Sequence, residues 1–312
     1  MSSTPTESTF EKTFGGTHWD AGRSVQQTRD GGYIIVGDTE SFGQGEADVY
    51  LIKTDAKGKK LWERTFGGTK NDWGKSVQQT RDGGYIIVGY TESFGQGEAD
   101  VYLIKTNAKG KKLWERTFGD TDWDAGFSVQ QTRDGGYIIA GYTYSFGQGG
   151  TDVYLIKTNA KGKKLWERTF GGTKNDWGNS VQQTRDGGYI IVGETLSFGQ
   201  GGRDVYLIKT DAKGKKLWER TFGGTDWDDG FSVQQTRDGG YIIVGVTDSF
   251  GQGEADVYLI KTDAEGNILK SEKSLREAPN PNIGKGFNRN RSISSLPDLT
   301  PSSEPLHHPR RR

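Results

Sequence analysis

Two aspartates recur along this chain at a spacing of 52 residues. One set is Asp20, Asp72, Asp124, Asp176 and Asp228; the other is Asp48, Asp100, Asp152, Asp204 and Asp256. Paired carboxylates can act as general acid and base, and Asp-rich loops can hold Ca2+ through oxygen ligands. An active site is usually asymmetric, whereas each of these acids stands five times in nearly the same context. Turn capping, with the carboxylate accepting hydrogen bonds from nearby backbone, is therefore expected. No loop has the EF-hand spacing, so no metal ligand is assigned. Histidine is limited to His18, His307 and His308, and cysteine is absent. No Ser-His or Cys-His pair can be built inside the repeats. No catalytic residue and no cofactor are expected, and the chain reads as a non-enzyme.

Aromatic residues form the other chemically useful group. Trp19, Trp123 and Trp227 precede the first recurring Asp, while Trp73 and Trp177 follow it. Tyr90, Tyr142 and Tyr144 belong to positions that differ between the copies. One varied position reads Arg23, Lys75, Phe127, Asn179 and Phe231, as if on a loop. A second reads Asp38, Tyr90, Tyr142, Glu194 and Val246, and a third Glu40, Glu92, Tyr144, Leu196 and Asp248. The pair Glu46-Ala47 becomes Gly150-Thr151 and then Gly202-Arg203. By contrast, Thr-Arg-Asp-Gly-Gly is the same in all five copies. Varied loops on a rigid scaffold suit a binding face, and aromatic rings there can stack on sugars or fill a partner's pockets. The ligand-binding candidates are Trp19, Trp73, Trp123, Trp177, Trp227, Tyr90, Tyr142 and Tyr144. The competing account is drift of tolerant loops, with the tryptophans packed between repeats.

The elements that must position these residues follow from the period. In the second copy Ser76–Thr80 is strand A, and Arg81–Gly84 is a tight turn whose Asp-Gly-Gly supplies positive φ. Strand B is Tyr85–Thr91 and strand C is Asp100–Thr106. Their continuous, β-branched apolar runs suit strands covered on both faces. Strand D, Leu113–Phe118, alternates as an outer strand should. A four-stranded sheet with two apolar faces must pack against a copy on either side, which predicts an all-β, five-bladed β-propeller. Antiparallel pairing places the B–C and D–A loops at one end. The residues Phe10–Phe14 match strand D, so they are expected to pair with Asp256–Thr262 and close the ring.

Composition bounds the rest. Residues 1–8 read as a disordered N-terminus, 9–273 as the propeller, and 274–312 as a disordered Pro/Ser/Arg-rich tail. Lys plus Arg and Asp plus Glu both number 41, which gives no general pull toward nucleic acid or membrane. The turn lysines Lys57, Lys59 and Lys60, with Lys109, Lys111 and Lys112, read as guards against edge-to-edge aggregation. The start, Met1–Thr9, lacks a signal-peptide pattern, and no apolar run approaches the roughly 20 residues that span a bilayer. A monomer is expected, with no nucleic acid partner and no membrane insertion.

The repeat with Gly67-Gly-Thr-Lys-Asn-Asp-Trp-Gly74, Asp82-Gly-Gly-Tyr-Ile-Ile-Val-Gly89 and Asp100-Val-Tyr-Leu-Ile-Lys105 resembles the bacterial and archaeal β-propeller repeat family. That resemblance implies a surface or secreted protein. The segment Asp55-Ala-Lys-Gly-Lys-Lys-Leu-Trp62 resembles the tryptophan-docking motif of quinoprotein propellers. It implies that Trp62, Trp114, Trp166 and Trp218 pack on the next blade; no match to the quinone pocket, its calcium or its catalytic Asp is found. Five-bladed lectin propellers share the blade count. The expected function is thus a non-catalytic scaffold for protein or cell-surface ligands, held on the face with the B–C and D–A loops. A multivalent lectin with one site per blade is the alternative, and an enzyme is the third choice.

Overall fold

The computed structural model describes residues 9–268, which contain strands and turns and no helix. The first blade holds β1 (Asp20–Gln27), β2 (Tyr33–Thr39), β3 (Asp48–Thr54) and β4 (Lys60–Phe66). The second holds β5 (Asp72–Gln79), β6 (Tyr85–Thr91), β7 (Asp100–Thr106) and β8 (Lys112–Phe118). The third holds β9 (Asp124–Gln131), β10 (Tyr137–Thr143), β11 (Asp152–Thr158) and β12 (Lys164–Phe170). The fourth holds β13 (Asp176–Gln183), β14 (Tyr189–Thr195), β15 (Asp204–Thr210) and β16 (Lys216–Phe222). The fifth holds β17 (Asp228–Gln235), β18 (Tyr241–Thr247) and β19 (Asp256–Thr262). Every pairing within a blade is antiparallel and follows chain order. The architecture is an all-β, five-bladed propeller of 52-residue repeats.

Strands B and C lie where the apolar runs place them. Strand A starts earlier than its pattern predicts, at Asp72 instead of Ser76, and carries a bulge between Gly74 and Ser76. Gly74 allows the bulge to press on the blade before it. A Cβ there would come 2.7 Å from Val36 Cγ2 and 2.8 Å from the Gly37 carbonyl oxygen. The tight turn after β5 forms as expected: Thr80 N donates to Gly84 O at 2.9 Å, and Gly83 takes a φ of 83°. Its Asp82 accepts from Gly84 N at 3.0 Å and from Lys105 Nζ at 3.1 Å.

The core lies between blades. Ile34, Val36, Val49 and Leu51 of the first blade pack on Tyr85, Ile87, Tyr102 and Ile104 of the second. The same set recurs at the next joints. Fully burying each such side chain contributes roughly 1.5–3 kcal/mol. The docking tryptophans pack across the joint, with Trp62 5.9 Å from the Tyr85 ring and against Gly110. They are half-buried. The outer strand leaves one side of the ring to Arg64, 5.4 Å from its centroid.

Closure by Phe10–Phe14 is not formed. Phe10 does reach the place that Trp62 takes one blade on, with its ring 5.8 Å from Tyr33. Yet residues 10–14 make no strand, and among the described residues the fifth sheet has three strands, β17-β18-β19. Val25 is 65% exposed, Val257 81% and Leu259 66%, while their counterparts Val77, Val205 and Leu207 are buried. The first and fifth blades thus leave apolar side chains exposed that the other blades bury. The expectations for residues 1–8 and 274–312 lie outside the described residues.

Candidate functional site

The recurring aspartates are turn caps. In the second blade Asp72 accepts from Gly68 N at 2.8 Å and from Ser93 Oγ at 2.7 Å. Asp100 accepts from Gln96 N at 3.0 Å and Gly97 N at 3.1 Å. Equivalent bonds occur in the other blades. Burial pushes the Asp72 carboxyl up, against the hydroxyls of Thr91 and Ser93 and the Gly68 amide. These acids hold the B–C and D–A loops to the strands. Among the described residues no cluster of three His, Cys, Asp or Glu side chains is arranged to hold a metal ion.

The varied residues stand above these caps. The position read as a loop, Arg23 to Phe231, belongs to strand A, at or beside the bulge in each blade. There the side chain leaves the ladder register and projects among its neighbours. In blades two and three the result is a continuous aromatic cluster. Trp73 and Tyr90 are cross-strand partners with centroids 4.6 Å apart, and Trp123 from the next blade lies 5.6 Å from Tyr90. Trp123 is held by its backbone: Ala99 bridges to it, and Tyr144 N donates to its carbonyl at 2.9 Å. Phe127 stacks on Tyr142 at 5.5 Å, and Tyr144 meets Tyr142 edge-on at 6.1 Å. Lys75 Nζ lies 5.2 Å from the Tyr90 centroid and 5.9 Å from that of Phe127. Such cation–π contacts contribute about 0.5–2 kcal/mol. Burial pulls the Lys75 amine below its ordinary range, helped by the Arg23 charge and opposed by Asp38. Burial also pushes the Tyr142 hydroxyl up to about 12.

Blades four and five use charge at the same level. Arg203 Nη2 lies 3.2 Å from Asp229 Oδ2, and its Nη1 lies 4.0 Å from Glu194 Oε1. Asn179 Nδ2 donates to Glu194 Oε2 at 2.6 Å and to the Gly230 carbonyl at 3.0 Å. Burial, then the Asp229 charge, pushes Glu194 up to about 8, against Arg203 and Asn179. The Arg203 guanidinium also covers the Trp227 ring, 4.6 Å from its centroid. In the first blade Arg23 Nε pairs with Asp38 Oδ1 at 2.9 Å.

The candidates therefore separate. Trp73, Tyr90, Trp123, Tyr142 and Tyr144 are brought together. Trp19 is exposed on its own loop, and Trp227 lies under Arg203. Trp177 sits opposite Glu194 in the strand pairing instead of opposite a ring. The eight residues do not make five equivalent sites. Lys75, Phe127, Asn179, Glu194 and Arg203 join the face from positions that the sequence marked as varied without making them ligand-binding candidates, and Asp229 joins it from a position that sequence reasoning did not single out. Their variation between copies was the available signal.

No family model matches the chain. Over 225 residues it is 28% identical to the regulatory protein FlaEY of Caulobacter vibrioides, a match that spans 61% of this chain and 23% of that protein. The chain thus covers less than a quarter of that relative's length. Among solved structures it is similar to the WD40 domain of Pan2 from Neurospora crassa. That likeness has 11% identity, covers 80% of this chain and 64% of the other, and has a TM-score of 0.49. It is also similar to an endo-1,5-alpha-L-arabinanase from Thermotoga petrophila, with 12% identity, 76% and 70% coverage and a TM-score of 0.42. These structural neighbours are likenesses at low sequence identity. They correct one expectation. Enzymes stand among them beside the WD40 domain, so this fold class does not make the chain a non-enzyme.

Proposed function

We propose that this chain is a propeller scaffold that binds a protein or cell-surface ligand on the face with the B–C and D–A loops, centred on blades two and three. The observation that supports this most is the cluster of Trp73, Tyr90, Trp123, Phe127, Tyr142 and Tyr144 around Lys75. It is assembled from positions that differ between copies, on caps and strands that do not. Rings of this kind present large rigid contact area at low entropic cost, and they dominate binding energy where they meet a partner's pocket. Lys75 is a cation held on ring faces with no carboxylate within ion-pair distance among the described residues. A ligand segment with an apolar or aromatic side chain next to a carboxylate fits both features.

A carbohydrate ligand is the second reading, favoured by the exposed indoles of Trp19 and Trp227. Because the tryptophans alternate between two places, such sites would recur on odd blades rather than on every blade. The test screens the full chain against a phage-displayed peptide library and a glycan array. For a peptide ligand, Tyr144→Ser and Lys75→Met should each weaken the selected interaction about tenfold. Lys111→Ala and Lys163→Ala, at the opposite end, should leave it unchanged. Binding that survives the first pair and fails with the second would move the site to the wrong end.

A further inference from the structure

We propose that the first and fifth blades are the two halves of a joint between copies of this chain, so that molecules associate head to tail. In that joint residues 10–14 of one copy complete the three-stranded sheet of the other. This goes beyond the ligand face, because it concerns the sides of the end blades.

The joint is already drawn four times inside the chain. Gln26, Gln78, Gln130 and Gln182 each accept, through Oε1, from the backbone N of the glutamine 53 residues on, at 2.6 Å. At each joint a glycine of the later blade lies under apolar side chains of the earlier one. Gly74 lies under Val36 and Val49, and Gly230 under Val192 and Val205. The end blades offer the same pieces without mates. Gly22 has only its own Ile35 within 4 Å of a Cβ position. It opens onto a groove of about 180 Å³ lined by Phe14, Ala21, Ile35, Tyr50 and Ile52. On the fifth blade, Val244 and Val257 are exposed where Val192 and Val205 are buried. A fifth joint of the same geometry would seat Val244 and Val257 over Gly22.

The edge strand gives a second, independent fit. In the first four blades the strand C tyrosine hydroxyl donates to a strand D glutamate, as Tyr50 does to Glu63 and Tyr206 to Glu219. Among the described residues Tyr258 of β19 has no strand beside it to supply one. Glu11 stands 52 residues before Glu63, and Phe10 stands 52 before Trp62. Phe10 is already seated on Tyr33 of its own first blade. The segment thus waits in the place of a preceding blade's outer strand. The register is fixed by the pairing of β3 with β4, in which Val49 faces Phe66 and Leu51 faces Arg64. Carried over, Val257 of one copy faces Phe14 of the next, and Leu259 faces Lys12.

The occupant is a second copy because both end faces are open at once in one chain. Within one chain the fifth blade does not cover the first, since Val25, Val257 and Leu259 all stay exposed. A head-to-tail contact that does not close within one molecule builds a larger ring or a filament. An uncovered apolar strand edge drives such pairing.

The chain has no cysteine, which makes the test direct. Lys12→Cys and Leu259→Cys are prepared as separate full-length chains, with folding checked by circular dichroism. Both positions are exposed, and strand neighbours fall within disulfide reach. Mixed under mild oxidation, the two should form a covalent heterodimer that neither forms alone. The chain carrying both changes should give a ladder of covalent oligomers. Val257→Glu should weaken association in light scattering about tenfold or more, since it puts a charge into the joint. If the double variant instead gives an internally cross-linked monomer and the mixture gives nothing, the chain closes on itself and the proposal fails. It fails equally if neither sample cross-links.

Discussion

At the end of the blades formed by the β5–β6 and β7–β8 turns, the polar contacts within and between blades repeat from copy to copy: Arg81 N donates to Gln131 Oε1 of the next blade at 2.9 Å, and Arg29, Arg133 and Arg185 do the same at the other joints. Asp82 takes Gly84 N and Lys105, and Lys105 Nζ also donates to Thr106 O at 2.7 Å. The same arrangement recurs at Asp30 with Lys53 and at Asp134 with Lys157. At the opposite end the side-chain contacts that cross between blades differ from joint to joint. Lys75 lies on rings of two blades, and Arg203 reaches Asp229 of the next. The first end is a fastening that each copy needs in order to fold. The second is a surface whose chemistry can change while the fold persists, and that is what a binding face requires.

Substitutions can break this comparison. The largest effect is expected at the fastened end. In Gly84→Ala the new Cβ would sit 2.1 Å from the Thr106 carbonyl oxygen, a backbone atom that cannot move aside. Urea unfolding should show a loss of about 3 kcal/mol. Lys105→Met comes next. It deletes the buried amine and leaves the Thr106 carbonyl short of a donor, at a cost of about 1–3 kcal/mol in the same assay.

One acid at each end responds to pH with opposite sign. The Thr28 hydroxyl, then Lys53 and the Gly32 amide, outweigh burial and hold Asp30 down to about 2. A depressed acid contributes stability above its unfolded pKa of 3.8, and loses it as pH falls toward 2. Glu194 runs the other way, raised from 4.5 to about 8. The folded state then holds the proton more tightly, so stability declines as pH rises from 4.5 to about 8. Melting temperature measured across that range should fall in the parent and fall less in Glu194→Gln. The smallest effect belongs to Lys75→Met. Loss of the cation–π contact is offset by relief of a buried charge, so stability should stay within about 0.5 kcal/mol of the parent in urea unfolding. A loss as large as that of Lys105→Met would mean that the varied end also fastens the fold.

Much of the scaffold was legible because its signals are local. The β-branched runs of Tyr85–Thr91 and Asp100–Thr106 gave two strands with their ends, and Asp82-Gly-Gly gave the turn. Strand A lost its first residues because Gly74 and the bulged Lys75 interrupt the alternation that marks a strand. The buried Lys105 was missed because a lysine is buried only when paired, and its partner lies 23 residues back. The site was half legible. Variation marked Tyr90, Tyr142 and Tyr144, but the meeting of Tyr90 with Trp123 depends on one blade's loop reaching the next. Closure by Phe10–Phe14 failed for a related reason. A strand match shows what a segment can pair with, not what it reaches, and Phe10 lies on Tyr33 of its own first blade.

The central claim is that ligand meets the varied end. The most direct measurement is amide hydrogen exchange on the full chain, with and without a saturating peptide or glycan selected from the screens above. The account predicts new protection at residues 71–75, 90–92, 123–127 and 142–144, with the turns at 81–84 and 107–112 unchanged. Protection gathered on those two turns, with none at the aromatic cluster, would contradict it.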